Sequence, residues 1–396
     1  MSFDVLILNT AVVDFRSREF GFTEELVGPG GLAKCGIADM PRYSQEQYRR
    51  WIEKGLGAAG GPGNAAPLIA RAGLDVAVGV NLGGGEFGGL DAQGRFFYDV
   101  MVKNGVEMSA AFVHPALPTG CTFIYDKPGN ERGGIAYFAN ANDDFDFGHY
   151  KAAVDRFRPK VVYYMYSGLS DSGDAQGGRA LAGFMRWCRG RGAITIADSS
   201  TLTGNPQELI DSGRPVEKYR LLEPVLPEAD IFFTSYHEAR MIGNTIGGPR
   251  GPGKPAKEDY IHQFLDFLAQ RFWGDDGRSR IFGVTVSDGA FEKHKDGKGT
   301  ISEPKKIKSV FPAGQVVDLV GAGDSFRAGV ISYIAKNIAA FRQGAMNFTE
   351  AVQMGNLFAC SYISASMNDR YGNIREYDEM LKLAQAYRSG GSVQDS

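Results

Sequence analysis

Residues 316–329 read Val316-Val317-Asp318-Leu319-Val320-Gly321-Ala322-Gly323-Asp324-Ser325-Phe326-Arg327-Ala328-Gly329. Past Gly323 the apolar residues Phe326, Val330, Tyr333, Ile334 and Ile338 fall at helical spacing, which predicts that Asp324 opens a helix. A Gly-Ala-Gly turn at a helix start can turn its amides outward, and the positive end of the helix dipole adds to the attraction for an anion. A carboxylate at the same spot can take the proton of an attacking hydroxyl. Asp is also a favoured helix cap, and one Gly-rich turn carries little weight alone.

Working outward, short apolar runs at Val5–Leu8, Val76–Val80, Val161–Met165, Ile194–Ala197, Ile231–Phe233 and Ile281–Val286 read as buried strands. Helical spacing over Ala65–Ala72, Phe96–Lys103, Arg179–Arg189, Glu238–Ile242 and Tyr260–Phe272 alternates with them. Alternation of this kind predicts an α/β fold, a three-layer α/β/α sandwich with a mostly parallel central sheet. Residues 15–58 and 112–140 break the rhythm and predict a small β-rich lid. The expected division is a core over 1–14, 59–111 and 141–388, the lid, and a disordered tail over 389–396. The stretches 199–225 and 243–257 read as surface insertions.

Composition sets limits on partners. With 43% apolar and 22% charged residues, net charge −3 and pI near 6.0, the chain shows no global attraction to nucleic acid or anionic membranes. No stretch reaches the roughly 18 apolar residues of a membrane span, and the N-terminal run lacks the basic start and cleavage site of a secretion signal. Cys35, Cys121, Cys188 and Cys360 form no CxxC pair, so a reducing, cytoplasmic setting is expected. The five histidines show no metal-binding spacing.

Asp-Leu-Val-Gly-Ala-Gly-Asp-Ser-Phe over 318–326 resembles the C-terminal signature of the ribokinase-like, PfkB-type carbohydrate kinases. The resemblance implies ATP-dependent transfer of a γ-phosphoryl group to a hydroxyl of a sugar or nucleoside, with Asp324 as catalytic base and Gly321, Ala322 and Gly323 as anion hole. It extends in order along the chain. Asp14 resembles the residue that binds substrate hydroxyls, and Ala59-Gly60-Gly61-Pro62-Gly63-Asn64 resembles the N-terminal signature, which implies substrate contacts from Gly60, Gly61 and Asn64. Thr119-Gly120-Cys121-Thr122 resembles the lid strand that returns over the substrate. Glu238 falls where the family's Glu acts on Mg2+ through water, although Ser235 replaces the motif's Asn; an ordinary helix-start Glu is the other reading. Ser287, Asp288 and Gly289 resemble the nucleotide-binding turn, and Asn356 an adenine-proximal residue. The resemblance further implies a monovalent cation such as K+ near Asp318, with Leu319 in place of the usual Thr, and a homodimer through the lid.

Two other readings stand beside this one. Gly83-Gly84-Gly85-Glu86-Phe87-Gly88 satisfies G-x-G-x-x-G, and Glu107 follows at about the distance of a ribose-binding acid, the pattern of a dinucleotide-dependent oxidoreductase. A non-catalytic sugar-binding member of the same fold is the second. Gly248–Pro255 has P-loop spacing but ends in Pro255 where a Ser or Thr hydroxyl is required, so it reads as a loop.

Overall fold

The computed structural model describes residues 2–126, 132–249, 256–311, 315–366 and 369–388. The expected tail, 389–396, and residues 250–255 of the P-loop-like stretch lie outside them.

The buried apolar runs form an eight-stranded sheet in the order Lys305–Lys308, Gly289–Lys295, Arg280–Val286, Ile231–Ser235, Ile194–Ser199, Val161–Ser167, Val5–Leu8, Val76–Gly79. The strands from Arg280–Val286 onward are parallel; the first two add an antiparallel edge. Side chains alternate between the two faces, as the two-residue period of a strand requires. Val5 and Ile7 pack with Ile331, Val352 and Met380, while Leu6 and Leu8 pack on the opposite side with Phe184 and Leu265. Helices cover both faces, so the fold is the three-layer α/β/α sandwich that the alternation predicts.

The stretch 199–225 is no surface insertion. It contains the helices Pro206–Ser212 and Leu222–Val225, and Tyr219, Leu222 and Val225 are fully buried in the second core. Val216, Tyr219, Leu222 and Val225 recur every third residue, the spacing of a helical face. Likewise the helix Tyr236–Ile246 runs beyond Ile242, with Gly243 to Ile246 buried.

A five-stranded sheet sits beside the large one, in the order Leu32–Cys35, Arg132–Phe138, Gly120–Asp126, Val12–Ser17, Gly57–Gly60. Register pairs Asp14 with Thr122 and Thr122 with Tyr137, which puts the three on one face. Phe15 and Phe123 point to the other face, where the helix Gln45–Glu53 closes over them with Tyr48 and Trp51. The edge strand is stitched to the neighbouring loop: Gly28 N–H donates to the Gly204 carbonyl and Leu32 N–H to the Thr203 carbonyl, both at 2.9 Å. Phe112–His114 instead joins Asn81–Gly85 and Gly89–Leu90 in a three-stranded sheet.

Candidate active site

The parallel strands end at one rim of the large sheet, where open α/β folds place their ligands. A cavity of about 440 Å3 opens there, under the Asp14 face of the second sheet and against Gly321 to Asp324. Its lining includes Asp14, Gly61, Asn64, Thr122, Tyr137, Tyr166, Glu238 and Arg327.

The helix after the Gly-rich turn spans Ala322–Lys336, with Asp324 its third residue rather than its first. Every residue from Asp324 to Ala335 is buried, because the helix packs on Phe348–Ile363 as well as on the sheet. Gly321 precedes it with φ +87°, and a Cβ there would lie 2.8 Å from Asn64 Cγ. Only glycine fits both conditions. Of the amides expected to form the anion hole, that of Ala322 bonds the Leu319 carbonyl at 3.2 Å. First-turn amides have no carbonyl partner within their own helix, and at Gly323 and Asp324 they belong to residues lining the cavity.

Asp324 is 5% exposed, yet it lines the cavity. Its Oδ2 accepts from Tyr166 OH at 2.6 Å and from Asn64 Nδ2 at 3.0 Å; Oδ1 accepts from Arg327 Nη1 at 3.2 Å. Burial pushes its pKa up to about 6, against the lowering pull of Arg327, Tyr166 and Asn64. Arg327 also reaches Asp198 Oδ2 at 3.3 Å, and its Nε and Nη2 donate to the Phe233 carbonyl at 3.2 and 3.0 Å. Asp198 is fully buried at the end of Ile194–Ser199 and accepts from Tyr163 OH at 2.8 Å and Tyr166 N–H at 2.5 Å. Burial raises the Asp198 pKa too, and Arg327 opposes it. The Tyr166 backbone is left-handed, φ +56°, a conformation costing a bulky residue about 1–2 kcal/mol. It aims the amide at one aspartate and the hydroxyl at the other, the kind of strain that marks working sites.

Opposite, Asp14 Oδ1 accepts from Thr122 Oγ1 at 2.6 Å. A Cβ on Gly60 would come within 2.2 Å of Asp14 Oδ2, and Gly61 takes φ +58° against the Thr10 carbonyl. These glycines make room for the carboxylate and the chain turn. Asn64 bridges the two sides of the site, since its Oδ1 accepts from Tyr362 OH at 2.9 Å while its Nδ2 holds Asp324.

The remaining expected residues divide between the cavity and the antiparallel edge of the sheet. Glu238 lines the cavity but works as a helix cap: Ser235 N–H and Thr234 Oγ1 donate to its Oε2 at 2.9 and 3.0 Å, Thr201 Oγ1 to Oε1 at 3.3 Å. Ser287, Asp288, Gly289 and Asn356 are not among the cavity-lining residues. They follow the antiparallel edge of the sheet, where Asp288 pairs with Lys306 at 2.9 Å and Asn356 donates to Gln353, itself bonded to the Lys308 carbonyl. Thr285, two residues before Ser287, connects the strand to the cavity.

The dinucleotide pattern does not form the turn it needs. Gly84 and Gly85 pair antiparallel with Leu90 and Gly89, a hairpin outside the large sheet, and Asp91 rather than a glycine turn caps the next helix through Gly94 N–H at 2.7 Å. Glu107 is occupied by Ser109 N–H, also at 2.7 Å. No helix among the described residues is long and apolar enough to cross a membrane.

Residues 287–367 match the family model described as pfkB family carbohydrate kinase. A search of curated proteins finds no match. Among solved structures, a probable sugar kinase from Rhizobium etli CFN 42 is similar at 18% identity over 98% of this chain and 99% of that one, TM-score 0.64. An adenosine kinase from Schistosoma mansoni gives 16% identity over 91% and 95%, TM-score 0.66. A fructokinase from Xylella fastidiosa with bound ATP gives 18% over 97% and 99%, TM-score 0.63. The chain therefore shares its fold with these sugar and adenosine kinases along nearly its whole length, and residues 287–367 resemble in sequence the pfkB family carbohydrate kinases.

Proposed function

We propose that this chain is an ATP-dependent kinase that phosphorylates a hydroxyl of a sugar or nucleoside. The observation that carries the reading is Asp324: buried, lining the cavity beside the first-turn amides of its helix, and facing Asp14 and Thr122 across it. Phosphoryl transfer asks a protein mainly for positioning and charge stabilisation. Asp14 and Asn64, with Gly60 and Gly61 leaving room, hold the acceptor. A carboxylate oxygen has two lone pairs; those of Asp324 Oδ2 are taken by Tyr166 and Asn64, whereas Oδ1 has Arg327 alone. Oδ1 therefore takes the acceptor's proton. The Gly321–Gly323 turn receives the transferring group, the Ser287–Gly289 turn and Asn356 the nucleoside end, and the second sheet excludes water as a competing acceptor.

Mg2+ fits as a companion of the nucleotide. Among the described residues no cluster of three His, Cys, Asp or Glu could close on a metal, and Glu238, both oxygens already accepting, offers contact through water only. When bound, the ion neutralises phosphate charge.

The test is ADP release from ATP across a panel of sugars and nucleosides, with the phosphorylated product identified by mass. Wild type is expected to consume ATP only with an acceptor present. Asp324→Asn is expected to lose about 10²–10⁴ in kcat while still binding nucleotide. A variant that keeps its rate removes Asp324 from the mechanism; acceptor binding without ATP consumption in wild type makes the chain a sugar-binding protein.

A further inference from the structure

The loop around Asp318 does not fit a monovalent cation, because guanidinium groups already hold its oxygens. Arg370 Nη2 donates to Asp318 Oδ2 at 3.1 Å and to the Val320 carbonyl at 3.3 Å. Arg16 Nη1 reaches Asp318 Oδ1 at 3.3 Å, and Val320 N–H donates to the same oxygen at 3.0 Å. A hard cation binds through oxygens such as this carboxylate and this carbonyl. Here both face one guanidinium nitrogen, Nη2 of Arg370, which already fills the position an ion would take between them.

Charge balance points the same way. Arg16 is held from its other side by Asp126, Nε and Nη2 lying 3.1 and 2.8 Å from Oδ1. Two guanidiniums and two carboxylates cancel, so no net negative charge is left to draw an ion. The Asp318 and Arg370 side chains are each 11% exposed, where screening by salt is weak.

The cluster also ties together parts of the site that are far apart in sequence. Arg16 belongs to Val12–Ser17 and Asp126 to Gly120–Asp126, neighbouring strands of the second sheet. Asp318 lies three residues before the Gly321 turn. Arg370 stacks 5.1 Å from the Tyr362 ring, whose hydroxyl holds Asn64, which holds Asp324.

We propose that Arg370, assisted by Arg16, is the built-in cation of this loop: a positioning pair that keeps residues 318–321 in their anion-receiving shape and makes the protein independent of K+. The proposal rests on the kinase reading only in taking that loop as the nucleotide's phosphate site.

The test measures affinity for a fluorescent ATP analogue and the melting temperature, in potassium chloride and in choline chloride at equal ionic strength. Wild type is expected to give the same affinity and the same melting temperature in both. Arg370→Ala is expected to bind the analogue on the order of tenfold more weakly and to recover on addition of guanidinium ion, with Arg370→Lys intermediate, since an ammonium keeps the charge but loses the planar contact with the Tyr362 ring. A wild-type protein whose affinity rises several-fold, or whose melting temperature rises, in potassium overturns the proposal. So does an Arg370→Ala protein that binds as wild type does. If Arg370→Ala fails to fold, Arg370→Lys and Arg16→Ala carry the same comparison. Absence of nucleotide binding by wild type in both salts would sink the kinase reading, and the melting temperatures would still decide this one.

Discussion

Arg327 lies between two buried carboxylates, Asp198 and Asp324, and the balance among the three decides where Asp324 titrates. The folded value of about 6 lies above the ordinary 3.8, so catalysis that needs the ionised base falls off below about pH 6. A kcat/KM profile with its acid limb near 4 would mean that some other group takes the proton. The linkage to stability runs in the opposite sense. The contribution of the protonated carboxyl is fully present below about pH 3.8 and is lost as pH rises through about 6, and Asp324→Asn should flatten urea-measured stability across that window. Arg327→Met leaves both aspartates without their cation. It is expected to cost about 3–5 kcal/mol of stability and to move the acid limb above pH 6, with Asp198 still beside the carboxyl and only the Tyr166 and Asn64 hydrogen bonds left to hold its pKa down. An unmoved limb would detach Arg327 from the ionisation of Asp324.

The helix Ala322–Lys336 and the turn before it are the element on which the site depends. Gly321→Ala puts a side chain at φ +87° and against Asn64, so about 1–3 kcal/mol of destabilisation is expected together with a loss of activity larger than stability alone explains. A fully active, equally stable variant would show that the turn has slack. This element was the most legible part of the sequence, since the apolar spacing after Gly323 and the Gly-Ala-Gly pattern are local signals. The partners of Asp324 were less so. Arg327 is a charged residue inside a run of apolar ones, which is a readable anomaly, and Asp198 ends an apolar strand. Nothing local announces Tyr166 or Tyr362, whose roles come from strand order and from a helix almost 300 residues away from Asn64. Glu238 carries both readings made of it: its spacing from Ser235 is that of a capping box, which occupies Oε2, while the side chain still lines the cavity. The hairpin at Gly83–Gly88 shows how a short glycine pattern can match while the strand pairing around it excludes the function.

Across the whole molecule, the α/β core follows from alternation, whereas the cover depends on pairings between residues 12–60 and 120–138 that no periodicity reveals. The same cover bears on the expected homodimer. Its outward apolar face is already filled by Tyr48 and Trp51 from the chain's own helix, packed on Phe15 and Phe123. That covering argues for a single chain in solution, and sedimentation at the mass of one 42.9 kDa chain is the expected result. A concentration-independent dimer would show that another surface serves as the interface. Stitching of the strand Leu32–Cys35 to the loop at Thr203 and Gly204 has a kinetic consequence. The two backbone bonds join one wall of the cavity to the other, so the rate at which they part can be read against the rate at which a guest arrives. Hydrogen exchange should then find the amides of Gly28 and Leu32 opening far more often than those of Val12–Ser17, and slowing once an acceptor is inside.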